Sequence, residues 1–151
     1  MNNKSGKKQN IEVVARAFII KRGKILLCRI KGERWFFLPG GHVDFGETVE
    51  EALSREIQEE LGNSIRIRSF IGVVENAYRE NGIDHHEINL IFHTDILRPI
   101  NRTRENHIEF KFEKLGLIGE NDLLPLGINL VLKRWLADRK RFWRSVHETT
   151  P

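Results

Sequence analysis

The chain has 151 residues, 40% of them hydrophobic and 30% charged, which is enough apolar material for one core and too little length for two full domains. Four prolines and twelve glycines exclude a collagen-like or low-complexity chain, and no apolar run approaches the roughly 18 residues that a membrane-spanning helix needs. The N-terminal segment is basic without the apolar stretch of a signal peptide, so a cytoplasmic location is expected. A formal net charge of +4 suits an anionic partner, and its distribution is more telling. Lys4, Lys7 and Lys8 open the chain, Lys133, Arg134, Arg139, Lys140, Arg141 and Arg144 crowd its end, and acidic residues are densest between Glu47 and Glu60. The single cysteine, Cys28, lies in the apolar run Ile25-Leu26-Leu27-Cys28 and reads as a core residue.

Residues 1–10 lack apolar periodicity and are expected to be a disordered basic tail. Ile11 to Ile20 is β-branched, Lys21-Arg22-Gly23-Lys24 is turn-like, and Ile25 to Ile30 is apolar again, a pattern that predicts a hairpin. Trp35-Phe36-Phe37-Leu38 ends at Pro39-Gly40-Gly41, which predicts a tight loop. From Thr48 to Leu61 the period becomes helical, with Val49, Leu53, Ile57 and Leu61 four apart, a capping box at Thr48-Val49-Glu50-Glu51 and a stop at Gly62. Ile65 to Val74 and Glu87 to Leu97 alternate as strands, as does His107 to Leu115, with Ile108, Phe110 and Phe112 on one face. Asn121 to Lys140 predicts a second helix with a stripe of Leu123, Leu126, Leu130 and Trp135. Residues 11–138 then form the domain, and 139–151 a basic C-terminal tail.

Glu56, Glu59 and Glu60 stand at i, i+3 and i+4, on one side of this helix and away from its apolar stripe. Each like-charge pair at that spacing costs an isolated helix roughly 0.2–0.5 kcal/mol, which a bound divalent cation would offset. Hard cations such as Mg²⁺ take a few carboxylates together with substrate phosphates. Gly41, five residues, Glu47, seven residues, then Arg55-Glu56-Ile57-Gln58-Glu59-Glu60-Leu61-Gly62 resembles the Nudix box, GX5EX7REUXEEXGU with U a bulky aliphatic residue. The one departure is Asn63, where an aliphatic residue is expected; it follows the helix and bears on packing rather than chemistry.

The resemblance implies an α/β/α sandwich around a central mixed β-sheet. It also implies hydrolysis of a nucleoside diphosphate linked to a moiety X, giving a nucleotide and phosphoryl-X. On the same basis Glu56 and Glu60 resemble metal ligands, Glu59 a ligand or the base for the attacking water, and Gly40 the residue whose backbone carbonyl joins the metal shell. Mg²⁺ is the expected cofactor, with Mn²⁺ as a substitute. Arg55 is all donor and so is no cation ligand; it is expected to orient carboxylates, and Glu47 to pair with it in structural support of the site alongside Gly41. Members of the family draw a further catalytic glutamate from beyond the box. Glu105, Glu109 and Glu113 are the candidates, and Glu109, on the polar face of its strand, is the choice.

The histidines show no metal-ligand spacing: His85 and His86 are adjacent, and His42, His93, His107 and His147 are scattered. Val74 to Tyr78 followed by His85 to Ile88 looks like the segment that lines the nucleoside end in some Nudix subfamilies. Trp35, Phe36 and Tyr78 are candidates to stack on a base, with core packing as the alternative. A small nucleotide (a nucleoside triphosphate, ADP-ribose or a dinucleoside polyphosphate) is the expected substrate. An RNA 5′-pyrophosphohydrolase, using the basic C-terminal segment, and a non-catalytic nucleotide- or RNA-binding module are the alternatives. No membrane partner is expected, and the family resemblance admits a homodimer.

Overall fold

Ile11–Lys21 (β1) and Lys24–Ile30 (β2) form the expected hairpin, turned at Arg22 and Gly23, both at positive φ, in a computed structural model that describes residues 10–147. The tail expected over 1–10 therefore lies, Asn10 excepted, outside the described residues. Phe36–Phe37 (β3) pairs with β2, and Gly40–His42 (β4) pairs antiparallel with β1. The glycine pair is thus part of a strand, where sequence alone suggested a loop.

The helix α1 spans Val49–Leu61. Ile65–Glu80 (β5) and Ile83–Ile96 (β6) form a hairpin about the Asn81–Gly82 turn, longer than the alternation in sequence implied. Strand β6 also lies parallel to β1, with Val13 opposite Ile88, and Ile108–Glu113 (β7) pairs antiparallel with β2. A 3₁₀ turn at Leu115–Leu117 leads to Leu123–Leu124 (β8) beside β3, and then to helix α2, Ile128–Asp138.

The two helices cover opposite faces of the sheet. Leu53, Ile57 and Leu61 of α1 pack with Ala15, Ala17, Ile19, Leu26 and Phe92. Ile128, Leu132 and Trp135 of α2 pack with Phe18, Ile25, Leu27, Val74 and Ile91. The α/β/α sandwich with a mixed sheet is the observed architecture, and Cys28 is fully buried in it.

The C-terminal third differs from the sequence reading in two places. Helix α2 is shorter than Asn121–Lys140, because Leu123–Leu124 is drawn into the sheet and Gly127, at φ 77°, starts the helix; Leu130 is left exposed. Beyond Asp138 the chain reverses at Arg139, φ 58°, and Phe142–His147 forms β9, parallel to β5. Much of the expected basic tail is therefore a strand, its side chains alternately half-buried and exposed. The Phe142 ring fills the space over Gly72, where a Cβ would lie 2.4 Å from the ring.

Candidate active site

Both ends of α1 are fixed by local chemistry. The Thr48 hydroxyl accepts from the Glu51 N–H, and the Glu51 carboxylate accepts from the Thr48 N–H at 2.8 Å, the reciprocal capping box expected. Gly62, at φ 60°, donates its N–H to the Gln58 carbonyl. Asn63 is buried: its Nδ2 donates to the Arg98 carbonyl at 2.9 Å and its Oδ1 accepts from the N–H groups of Ser64 and Arg98. The departure from the box pattern is thus a polar latch between the end of α1 and the chain leaving β6.

The two glycines bring β4 against this helix. A Cβ at Gly40, φ 132°, would lie 2.0 Å from the Ala15 carbonyl oxygen, so only glycine permits this pairing with β1. A Cβ at Gly41 would lie 2.3 Å from the Glu56 carboxyl carbon, so the missing side chain makes room for that carboxylate. The Gly40 N–H donates to Glu60 Oε2 at 3.1 Å.

The three glutamates are not equivalent, although their spacing suggested one common outward side. Glu59 is exposed, Glu56 half-buried, and Glu60 buried at 5% exposure, because α1 presents it to β4 rather than to solvent. Burial, reinforced by the charges of Glu56 and Glu105, raises the Glu60 carboxyl to about 7, against the opposing pull of the Gly40 N–H and Arg16.

Arg55 joins the acidic residues into one network. Its Nε and Nη2 donate to the two oxygens of Glu47, at 3.1 and 2.6 Å, a forked pair of the kind a guanidinium makes with a carboxylate. Its Nη1 donates to Glu56 at 2.9 Å and to Glu59 at 3.4 Å, and Nη2 also donates to the His42 carbonyl. The hydrogen bond from Arg55 is the largest influence holding the Glu47 carboxyl below its ordinary range; the Glu47 bond in turn raises Arg55. The expected Glu47–Arg55 pair is present.

Arg16 is a site residue that sequence reasoning did not single out. From β1 it donates to the carbonyls of Leu38 and Gly40, at 3.1 and 3.3 Å, and to Asn89 Oδ1. One guanidinium thus grips the strand carrying the glycines.

Other expected residues are placed less favourably. Glu109 is committed to Arg29 on the neighbouring strand, and the glutamate of this region whose charge acts on Glu60 is Glu105, just after Arg104, whose N–H donates to the Glu60 carbonyl. Glu113 accepts from Lys111 and from the Lys114 N–H. Phe36 packs on the core beneath Arg29 and Lys111, and it is Phe37 that lines a cavity on the α2 face. Trp35 is 45% exposed and borders a neighbouring hollow with Tyr78. His85 stacks on Tyr78 and His86 bonds to Glu75, on opposite sides of their strand. His42 does meet carboxylates: ligand atoms of His42, Glu12 and Glu87 lie within 4.8 Å of one another. Two of the basic C-terminal residues serve packing, Arg139 over the Trp135 ring at 4.4 Å and Arg144 against Gly127.

On the α2 face, a cavity of about 190 Å³ lies between Phe37, Leu124, Pro125 and the sheet, with Arg16, Asn76, Tyr78 and Glu87 around it. Arg16 borders this cavity and also bonds to Gly40, whose N–H is on Glu60. The cavity and the glutamate helix are thus two ends of one region.

The family model for the NUDIX domain matches residues 11–138. An ADP-ribose pyrophosphatase of Methanocaldococcus jannaschii is 40% identical over 88 residues, 56% of this chain, which spans about half (51%) of that relative's length. The nucleoside triphosphatase NudI of Escherichia coli is 30% identical over 124 residues, 76% of this chain and 86% of the relative. Among solved structures, a MutT NUDIX hydrolase from Burkholderia pseudomallei superposes with a TM-score of 0.68 at 26% identity, covering 81% of this chain and 97% of that one. The chain belongs to the NUDIX family, the hydrolase class to which its glutamate pattern pointed. No helix among the described residues is long and apolar enough to cross a membrane.

Proposed function

We propose that the chain is a Mg²⁺-dependent pyrophosphohydrolase, with Mn²⁺ as a substitute, that cleaves a small nucleoside diphosphate derivative into a nucleotide and phosphoryl-X. The observation that carries this reading is the Arg55 network: Glu47, Glu56 and Glu59 bonded to one guanidinium, beside a buried Glu60 held on the Gly40 N–H. The donor set fits the ion. It is all oxygen, as hard divalent cations require, and the Glu56 carboxylate occupies the space that a Cβ at Gly41 would fill.

Glu56 and Glu60 would hold the ion with the Gly40 carbonyl, which has a second lone pair beside the one used by Arg16. When bound, such an ion neutralises phosphate charge and acidifies an attacking water. Glu59, the most exposed of the three, would accept a proton from the attacking water. Arg55 is a positioning residue: it sets the Glu56 and Glu59 carboxylates and is itself anchored by Glu47. Glu105 stands beside Glu109 as a source of the further carboxylate: it follows Arg104, whose N–H is on the Glu60 carbonyl, and pairs with His107, while Glu109 pairs with Arg29.

A small nucleotide is favoured over RNA because the glutamate network alone accounts for the pyrophosphate chemistry, while of the basic C-terminal residues Arg139 lies over the Trp135 ring, Arg134 pairs with Asp138 and Arg144 is half-buried. The names of the two relatives, an ADP-ribose pyrophosphatase and a nucleoside triphosphatase, agree with that class. A panel of nucleoside triphosphates, ADP-ribose, dinucleoside polyphosphates and 5′-triphosphorylated RNA, assayed for phosphate and nucleotide products, tests the reading. Hydrolysis of a small nucleotide that is lost in Glu59→Gln is expected. A folded protein that cleaves only the RNA, or nothing, would overturn it.

A further inference from the structure

The segment 97–107, between β6 and β7, carries three arginines and a single carboxylate. That carboxylate, Glu105, pairs with His107 at 3.2 Å. Arg98, Arg102 and Arg104 have no carboxylate partner among the described residues, whereas Arg29, Arg34, Arg55, Arg68, Arg79 and Arg134 each have one. With Asn63 and Asn101 the three line a hollow of about 440 Å³ at the C-terminal end of α1. The backbone that presents them is tied down along its length. The Leu97 N–H donates to the Ser64 carbonyl at 3.0 Å, Asn63 holds both the N–H and the carbonyl of Arg98, the Thr103 hydroxyl donates to the Ile108 carbonyl, and the Arg104 N–H donates to the Glu60 carbonyl at 2.9 Å. None of these bonds uses a guanidinium.

Three guanidinium groups around one hollow repel one another unless an anion joins them. The end of α1 offers some counter-charge, since the Arg104 side chain lies across Gly62, with Nε 2.9 Å from where a Cβ would stand. A helix C-terminus is worth only about half a negative charge, so roughly two or more positive charges stay unanswered. Guanidinium forks match phosphate oxygens two at a time, and the hollow falls within the roughly 300–1,000 Å³ of small-ligand sites. No aromatic side chain lines it, so it lacks the surface on which a base stacks. One phosphate brings about two charges at most, whereas a chain of linked phosphates brings enough to meet all three arginines.

We propose that the hollow at the end of α1 is an anion site separate from the glutamate cluster, taking a short chain of linked phosphates on Arg98, Arg102 and Arg104. Two sources present that chemistry: the distal phosphates of the substrate itself, and a free polyphosphate. The hollow starts at Arg104, whose N–H is on the carbonyl of Glu60, so either source sits beside the proposed ion site. Binding follows from the arginine geometry alone; only its bearing on turnover rests on the proposed hydrolysis.

Tripolyphosphate is the probe, titrated by calorimetry into the full chain in EDTA, where no cation can carry it to the glutamates. Binding with a dissociation constant below about 1 mM is expected, weakening as salt is added. Arg98 and Arg102 are exposed, so the double variant Arg98→Gln, Arg102→Gln should fold and should bind about tenfold or more weakly. Arg102→Gln alone, with a smaller loss, decides the matter if circular dichroism shows the double variant unfolded. The pair Lys140→Ser and Arg141→Ser, which removes the same charge elsewhere, should leave the affinity unchanged. In Mg²⁺, a raised KM for a dinucleoside polyphosphate with unaltered kcat in the double variant assigns the hollow to the substrate's distal phosphates; an unaltered KM assigns it to a free polyphosphate. No binding in EDTA, an affinity unchanged in the folded arginine variants, or an equal loss in the Lys140 and Arg141 pair overturns the proposal. Hydrolysis without tripolyphosphate binding would overturn it while leaving the proposed activity standing, and binding without hydrolysis would do the reverse.

Discussion

Replacing Glu60 by Gln separates the two demands on that side chain, ion binding and burial. In the folded chain, burial and then the neighbouring charges of Glu56 and Glu105 bring this carboxyl to about 7, against an ordinary 4.5. The folded state therefore holds the proton to higher pH than the unfolded state does. The contribution of this group to stability falls as pH rises from about 4.5 to about 7 and is level above that. The difference is worth roughly 3 kcal/mol at pH 8 in metal-free protein, since each tenfold change in proton affinity is about 1.4 kcal/mol. Gln carries no charge at any pH, and its amide oxygen can still accept from the Gly40 N–H. In EDTA, Glu60→Gln should thus be more stable than the parent by about 2–3 kcal/mol at pH 8 and nearly equal to it at pH 4. With Mg²⁺ present, its turnover should fall at least about 100-fold, because a cation ligand is gone. Urea denaturation at the two pH values, read beside kcat, checks both halves. A variant no more stable than the parent at pH 8, or one with full turnover, would refute the reasoning.

Activity should require Mg²⁺ or Mn²⁺, vanish in EDTA and survive a chelator selective for Zn²⁺, as the all-oxygen donor set of Glu56, Glu60 and Gly40 demands; loss of activity on selective zinc removal would contradict it. Asn63→Leu restores the aliphatic residue of the box but strips the bonds to Ser64 and Arg98, and should destabilise the fold by roughly 1–3 kcal/mol while leaving kcat/KM within a few-fold, as measured by urea denaturation and steady-state assay. Deleting residues 139–147 removes β9 and should abolish cooperative unfolding in a thermal melt, whereas the exposed pair Lys140→Ser and Arg141→Ser should leave both the fold and mononucleotide turnover intact. If that double variant instead flattens a steep salt dependence of RNA binding, the small-nucleotide reading fails.

Helix α1 was legible because every cue acts locally: the Val49, Leu53, Ile57 spacing, the Thr48–Glu51 box and the Gly62 stop all lie within one stretch. The glutamates at its surface were legible as a set, and so was the pairing of Glu47 with Arg55. What periodicity could not convey is how closely another strand approaches. The helical angle of Glu60 is fixed by its position in sequence, but its burial depends on β4 packing there, which two missing Cβ atoms permit. Arg16 was invisible for the same reason, since its partners Leu38, Gly40 and Asn89 meet it only in the folded sheet. In β9 the alternation of Phe142, Arg144 and Val146 was present in the sequence, but the basic residues around it read as a tail. The reversal at Arg139 uses a left-handed backbone conformation that arginine seldom signals. Phe36 and Phe37 were separable only once β3 was seen to point them to different surroundings.

The parallel placement of β9 also bears on how the chain acquires its structure. The β5–β6 hairpin closes over a two-residue turn and is available as soon as it is synthesised, whereas β1 must find β6 across the stretch from Val13 to Ile88, and β9 must find β5 from Glu75 to Ser145. Such distant pairings form late, after the entropy of closing long loops has been spent. Until Phe142–His147 arrive, one edge of β5 offers free backbone donors and acceptors, and the space above Gly72 is empty of its ring. A nascent chain is therefore most prone to strand-to-strand association in the interval before its last described strand docks. Pulse-labelling hydrogen exchange during refolding should find the β9 amides protected after those of β5 and β6; simultaneous protection would show that the sheet closes in a single step.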